Sequence, residues 1–328
     1  MADITPAVVL TNNEYYAGLT NLALYIAMYD TVSSGKVSSI INTFKTESLD
    51  YGDTKIFRSL PLPEVSDYSK TTSLLENNQA SITYDGNDYN VIEDTVSVNF
   101  KKLIKSTYNR QMLTLAVKSE YGVGEFIATV IRNIVAAKDD FIFDELIDLL
   151  YDTTYADTEE IEILDLSGET APTEIKAGRT LNQETLALGI QKLIDDMQMF
   201  NTKYNKYGLK QAVRLEDLRM VIFQPYKNEQ VVHLFSELLN SKYINENFPK
   251  PELVTIPEEK ASTMTHYDGD VVGIICHKAF VQLFDKLYFM GDFFDMSNLN
   301  VNNFLHFWYG LGTVPQLPNC KIKIKLAE

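Results

Sequence analysis

Apolar positions recur at three- and four-residue steps in several stretches of the chain, and each such stretch predicts a helix. The first runs from Tyr15 to Val32, where Leu19, Leu22, Ala23, Ile26 and Tyr29 share a face and Ser33-Ser34-Gly35 ends the pattern. The strongest runs from Gly124 to Asp152. Phe126, Ile127, Val130, Ile131, Ile134 and Val135 form one stripe, which Phe141, Leu146, Leu149 and Leu150 continue. Lys138-Asp139-Asp140 either divides this stretch into two helices or forms the polar face of one; a single helix would reach up to about 40 Å at 1.5 Å per residue. A capping box, Thr180-Leu-Asn-Gln183, opens a helix with Leu186, Ile190, Leu193, Ile194 and Met197 on one face. Val231 to Leu239 and Ala279 to Leu287 predict two shorter helices.

Other stretches read as extended. Between residues 45 and 100, Gly52, Pro61 and Pro63 punctuate short pieces. Ile82-Thr-Tyr84 and Tyr89-Asn-Val91 flank Asp85-Gly86-Asn87-Asp88 as a hairpin would. Val96-Ser-Val98-Asn-Phe100 alternates and predicts a strand with one buried face. This segment holds few large apolar side chains, so it reads as a two-stranded ribbon leaving the core. Such a ribbon is marginal in water and needs a surface to lie on. Thr153 to Gly178 is acidic and turn-rich, a loop or short hairpin. Met220-Val-Ile-Phe223, stopped by Pro225, and Asp270-Val-Val-Gly-Ile-Ile275 are buried strands; Phe304 to Tyr309 and Lys321 to Leu326 are terminal extended stretches. Strands and helices alternate between 180 and 290, which predicts one compact α/β unit there.

Composition narrows the class. The chain has 328 residues, 45% of them hydrophobic, enough for one large core or two smaller ones. No apolar run approaches the roughly 20 residues of a membrane span. The start, Met-Ala-Asp-Ile-Thr-Pro, lacks the basic and apolar regions of a signal peptide. Two cysteines, Cys276 and Cys320, fit a reducing compartment. The formal net charge is −16, with 45 acidic against 29 basic residues. Acidic charge keeps a protein soluble, and it also repels nucleic-acid phosphates and anionic membranes, so a container for DNA would not grip its cargo. A single Trp argues against a sugar-binding cleft. A helix and polar ribbon, then a long helix, then a compact unit, then terminal strands is an arrangement that interlocks with copies of itself.

Taken in this order, the elements resemble the major capsid proteins of tailed bacteriophages, whose Hong Kong 97-like fold is shared with herpesvirus floors and encapsulins. The segments that carry the resemblance are Phe100 to Arg110 running into Met112, Leu113 and Ala116; Ser119 to Phe126, as in podovirus-type members; Asp196 to Asn205; Leu215 to Phe223; and His306-Phe-Trp-Tyr-Gly310. The resemblance covers most of the chain. It implies an α+β fold with an N-terminal arm (1–50), an extended loop (51–100), a peripheral domain with a spine helix (101–179), an axial domain (180–287), and C-terminal strands returning to the peripheral domain (288–328). It further implies a structural protein that self-assembles as hexamers and pentamers into an icosahedral head around double-stranded DNA. The partners implied are a separate scaffolding protein, a portal protein and weakly contacted, sequence-independent DNA, with no membrane. Assembly would take place in the host cytoplasm and the product would be the virion. The alternatives are an encapsulin-type compartment shell, or a cytosolic enzyme with a pocket in 180–287.

Candidate chemistry is sparse, and no catalytic, cofactor-binding or metal residue is assigned. Cys276-His277, His306 and Cys320 could make a zinc site, but their spacing matches no metal motif, and structural roles are expected for them and for His233 and His266. Tyr121-Gly-Val-Gly-Glu125 lacks the third glycine and the lysine of phosphate loops and reads as a flexible joint before the long helix. Asp50-Tyr-Gly-Asp53 and Asp268-Gly-Asp270 are carboxylate pairs that solvate turns or loosely hold a cation. Lys321-Ile-Lys-Ile-Lys-Leu326 sets three lysines on one face, either guarding an edge strand or meeting an acidic neighbour.

Overall fold

A computed structural model describes residues 35–49, 52–62, 91–109, 120–166, 171–224, 252–257, 262, 265–266, 268–295 and 300–327. The helices expected at 15–32 and 231–239 and the hairpin at 82–91 lie outside the described residues, apart from Val91.

In chain order the elements are α1 (Lys36–Phe44), β1 (Thr54–Ser59), β2 (Ile92–Ser97), β3 (Phe100–Asn109), α2 (Glu120–Asp152), β4 (Asp157–Leu164), α3 (Pro172–Gln198), a 3₁₀ turn (Leu215–Asp217), β5 (Leu218–Gln224), β6 (Glu252–Pro257), β7 (Val271–His277), β8 (Val281–Asp295), β9 (Asn300–Thr313) and β10 (Asn319–Ala327). They form a two-stranded ribbon β1-β2, a three-stranded antiparallel sheet β3-β9-β8 and a mixed five-stranded sheet β4-β10-β7-β5-β6.

α2 is one unbroken helix of 33 residues, about 50 Å long. Lys138-Asp139-Asp140 does not divide it, and Gly122 and Gly124 lie inside it, so the expected joint is helical. Ile142, Phe143, Leu146, Ile147 and Leu150 fall on one face of α2 and share a core with Val221, Phe223 and Ile256 of the five-stranded sheet and with Leu305, Phe307 and Tyr309 of the three-stranded sheet. α3 covers the other face of the five-stranded sheet, where Leu186, Ile190, Leu193 and Met197 meet Ile161, Ile163, Ile322 and Ile324. α1 adds Ile40, Ile41 and Phe44 to the α2 core. Arg219 holds its end, with Nη2 donating to the Thr43 carbonyl (2.7 Å), Nε paired to Glu252 (2.9 Å) and the guanidinium over the Phe44 ring. Close packing between strands also demands glycine at Gly310, where an added Cβ would lie 2.3 Å from the buried Phe284 ring directly across β8.

Several expectations are corrected. The segment expected to be a loop or hairpin at 153–178 contains β4 and the first turns of α3. Helix α3 begins at Pro172, not at the Thr180 capping box, because proline at the first position is preorganised for a helical start. The box residues have other partners: Thr180 Oγ1 donates to the Lys176 carbonyl, and the buried Asn182 amide pairs with both backbone groups of Leu164, tying α3 to β4. The boundary drawn between 179 and 180 thus falls inside α3. The helix expected at 279–287 is strand: Phe280, Val281, Leu283 and Phe284 are all buried, and a run buried on both faces has lost the periodicity that separates helix from strand. The single strand expected at 96–100 is two. It breaks at Val98-Asn99, where the Asn99 side chain pairs with the Leu311 N–H (3.0 Å) and carbonyl (2.8 Å) and so continues the β3-β9 ladder in place of backbone. The terminal strands separate, β9 joining the three-stranded sheet and β10 the five-stranded one.

Candidate assembly surface

The ribbon has two unlike faces. Lys55, Phe57 and Ser59 of β1 stand opposite Val96, Asp94 and Ile92 of β2 and turn inward. Val96 packs with Phe284 and Val314, with Phe57, Val98 and Leu49 around them. The base of the ribbon therefore belongs to the subunit's packing, a correction to the expectation that the ribbon leaves the core. The outer face carries Ile56, 52% exposed, and the Arg58–Glu93 cross-strand ion pair. Leu60, Leu62 and Val91, farther out, are also exposed.

The three-stranded sheet turns one face to α2 and the other to solvent. Cross-strand rows on the solvent face read Lys101-Trp308-Leu287, Leu103-His306-Phe289 and Lys105-Phe304-Gly291. Lys101 lies 4.8 Å from the Trp308 ring centroid and Lys105 5.8 Å from that of Phe304. Neither lysine makes an ion pair among the described residues. Phe289 is 59% exposed, and Leu103, Leu287 and Phe293 are exposed beside it. A second apolar point follows α3, where Met199 and Phe200 are adjacent and both exposed. Exposed aromatic and aliphatic side chains in clusters mark surfaces that meet another molecule. Periodicity could not reveal the sheet face, because Leu103, Phe289 and Trp308 become neighbours only through strand pairing.

Among the described residues, the ionisable side chains do not converge. Cys276 stands opposite Asn319, and Cys320 opposite Ile275, on neighbouring strands β7 and β10. Their side chains join the cores on opposite faces of the sheet, and burial pushes both thiols up to about 12. His277 lies at the end of β7, His306 on the outer face of β9, and His266 against Asp148 and Asp152 of α2 at 3.0 and 3.5 Å; His233 lies outside the described residues. Among the described residues no three His, Cys, Asp or Glu side chains group as metal ligands would. Asp268 organises its turn: one oxygen accepts the Asp270 N–H (3.1 Å) and the other the Lys323 ammonium (2.8 Å). Asp53 is described but Asp50 is not. The lysine stripe of β10 does not guard an edge, because β10 runs between β4 and β7. Its acidic partners come from the same chain, Lys323 meeting Asp268 and Lys325 meeting Glu162. No helix among the described residues is long and apolar enough to cross a membrane.

Residues 36–323 match the family of Phi29-like phage major capsid proteins along nearly the whole described chain. The chain belongs to this family. It is a structural subunit that assembles with copies of itself into the icosahedral head of a tailed phage and forms part of the virion. Solved phage structures share its α+β, Hong Kong 97-like fold at low identity. The capsid of Staphylococcus phage Andhra is 12% identical, with a TM-score of 0.57 over 86% of this chain and 83% of that one. A structure described as the head fiber and inner core protein gp22 of bacteriophage P68 is also 12% identical, with a TM-score of 0.54 over 86% and 83%. The asymmetric unit of the bacteriophage PhiM1 mature capsid is 10% identical, with a TM-score of 0.50 over 87% and 86%. No curated protein matches the chain. The encapsulin and enzyme alternatives find no support in these likenesses.

Proposed function

We propose that the β1-β2 ribbon is an intersubunit clamp, laid on a neighbouring copy of the chain in the shell. The observation that carries this reading is the outer face of the ribbon and the residues flanking its two strands, where Ile56, Leu60, Leu62 and Val91 are exposed with no cover among the described residues. Burying them against a neighbour would be favourable, and repetition over the shell would multiply a modest contact into a stable assembly. In this reading the three-stranded sheet with α2 is the peripheral domain, and α3 with the five-stranded sheet is the axial domain. β10 then contributes to the axial sheet, unlike β9. Assembly takes place in the host cytoplasm on a separate scaffolding protein and around a portal, and the packaged DNA is contacted weakly. The chain's role is structural rather than enzymatic.

The test leaves the packed base in place. Residues 60–91 are replaced by a short Gly-Ser linker, keeping β1 and β2, and the variant is co-expressed with the scaffold. Thermal unfolding of the free subunit stays close to that of the unaltered chain, while electron microscopy finds no closed shells. Normal shells from the linker variant would refute the clamp.

A further inference from the structure

Asp94 is an unusual residue to find in a ribbon. It lies on the inner face of β2, opposite Phe57, and is only 8% exposed. One carboxylate oxygen accepts the Tyr207 hydroxyl at 2.6 Å, and the other accepts the Gln316 backbone N–H at 2.9 Å. Its partners are 113 and 222 residues away in the chain, in two different places. Tyr207 sits on the turn that follows α3. That turn is closed by Asn205, whose amide pairs with both backbone groups of Leu209, and by Gly208 in the left-handed region at φ 66°. Gln316 sits on the connection from β9 to β10, where the chain passes from the three-stranded to the five-stranded sheet. The Lys206 N–H donates to the Pro315 carbonyl (3.1 Å), which joins the two loops to each other. Another polar anchor of the ribbon is local: Lys55 donates to Thr46 Oγ1 (3.1 Å) and to the Glu47 carbonyl (2.5 Å), nine and eight residues away.

A buried acceptor oxygen that loses its donor is left without a hydrogen bond, so this contact favours one arrangement over intermediate ones. We infer that Asp94 is a positioning residue for shell assembly: clasped by Tyr207 and the Gln316 amide, it locks the pitch of the ribbon to the junction between the two sheets. A change in that junction is then transmitted to the ribbon, and a ribbon out of position releases the junction. The inference rests on the clamp reading for its consequence in the shell, and on geometry alone for the lock itself.

Tyr207→Phe removes one hydroxyl from a partly exposed ring and leaves the ribbon whole, so the subunit folds. Hydrogen exchange of the β1 and β2 amides in the full chain rises about tenfold, and shells formed with scaffold become heterogeneous in diameter by electron microscopy. Asp94→Ala gives the same phenotype, and the double variant is no worse in exchange than Asp94→Ala alone, because both substitutions open one latch. Wild-type exchange in Tyr207→Phe, or independent effects that multiply in the double variant, would overturn the lock. Faster exchange with shells of normal diameter would overturn the positioning role. If the 60–91 linker variant loses shells while Tyr207→Phe matches the unaltered chain in both readouts, the latch falls and the clamp stands. If the linker variant closes normal shells, the clamp falls, and the exchange readout decides the lock by itself.

Discussion

His277 Nδ1 accepts the Ala279 backbone N–H at 3.0 Å, a bond that a protonated ring cannot make. Burial lowers its pKa, with Asp217 opposing and Arg219 and Lys278 reinforcing that direction. The folded chain therefore holds His277 neutral, while the unfolded chain takes up a proton near the ordinary histidine value of about 6.5. Stability from this group is fully present above that value and is lost as the pH falls towards the lowered folded value. His266 works in the opposite sense. Its hydrogen bond to Asp148 raises its pKa, so its contribution is present at low pH and fades as the pH rises. Comparing the chain with His277→Gln isolates the first effect, since His266 is common to both and glutamine keeps an acceptor for Ala279. Denaturant unfolding of the free subunit between about pH 7.5 and 5.5 should show the unaltered chain losing more stability than His277→Gln. Parallel curves would refute the assignment.

At the scale of elements, α2 joins the two sheets through one buried face. Leu146 is fully buried between the two sheets, so Leu146→Ala removes contacts to both and should destabilise the free subunit by about 2–5 kcal/mol. Leu188 on α3 is 68% exposed, and Leu188→Ala should stay within about 0.5 kcal/mol in chemical denaturation. Equal effects would mean that α2 does not bridge the sheets. The same difference in burial explains which elements were legible in the chain itself. The stripe Leu186, Ile190, Leu193 and Met197 belongs to a helix covered on one side, and it reads correctly. Met220 to Phe223 and Val271 to Ile275 read correctly because Pro225 and the turn at Asp268 bound short apolar runs. Val281 to Phe284 misled because a strand buried on both faces alternates no more than a buried helix does. β4 was missed because its outward positions, Thr158, Glu160 and Glu162, make an acidic segment that resembles a loop until β10 supplies its lysines. The ribbon was visible as a departure from core composition, but Asp94 was not, since nothing local distinguishes a carboxylate whose donors lie 113 and 222 residues away.

The whole subunit combines a net charge of −16 with a place in a phage shell. Part of its positive charge is already engaged internally: Lys45 with Asp285, Lys203 with Asp157, Lys323 with Asp268 and Lys325 with Glu162. A cation held by a carboxylate of its own chain has less to offer a phosphate, and binding to duplex DNA depends on how many phosphates a protein neutralises. The free subunit should therefore bind duplex DNA with a Kd weaker than about 100 μM at physiological salt, with a shallow salt dependence. The outer face of the three-stranded sheet is the surface that could defeat this expectation. There Lys101 and Lys105 lie over Trp308 and Phe304 without ion-pair partners among the described residues. A gel-shift series at increasing salt distinguishes the two outcomes, with Lys101→Glu/Lys105→Glu as the comparison. Weak binding that the double substitution leaves unchanged means that acidity governs the encounter and the genome stays loosely held. Tight binding with a steep salt slope, abolished by the double substitution, would show that this local face outweighs the net charge.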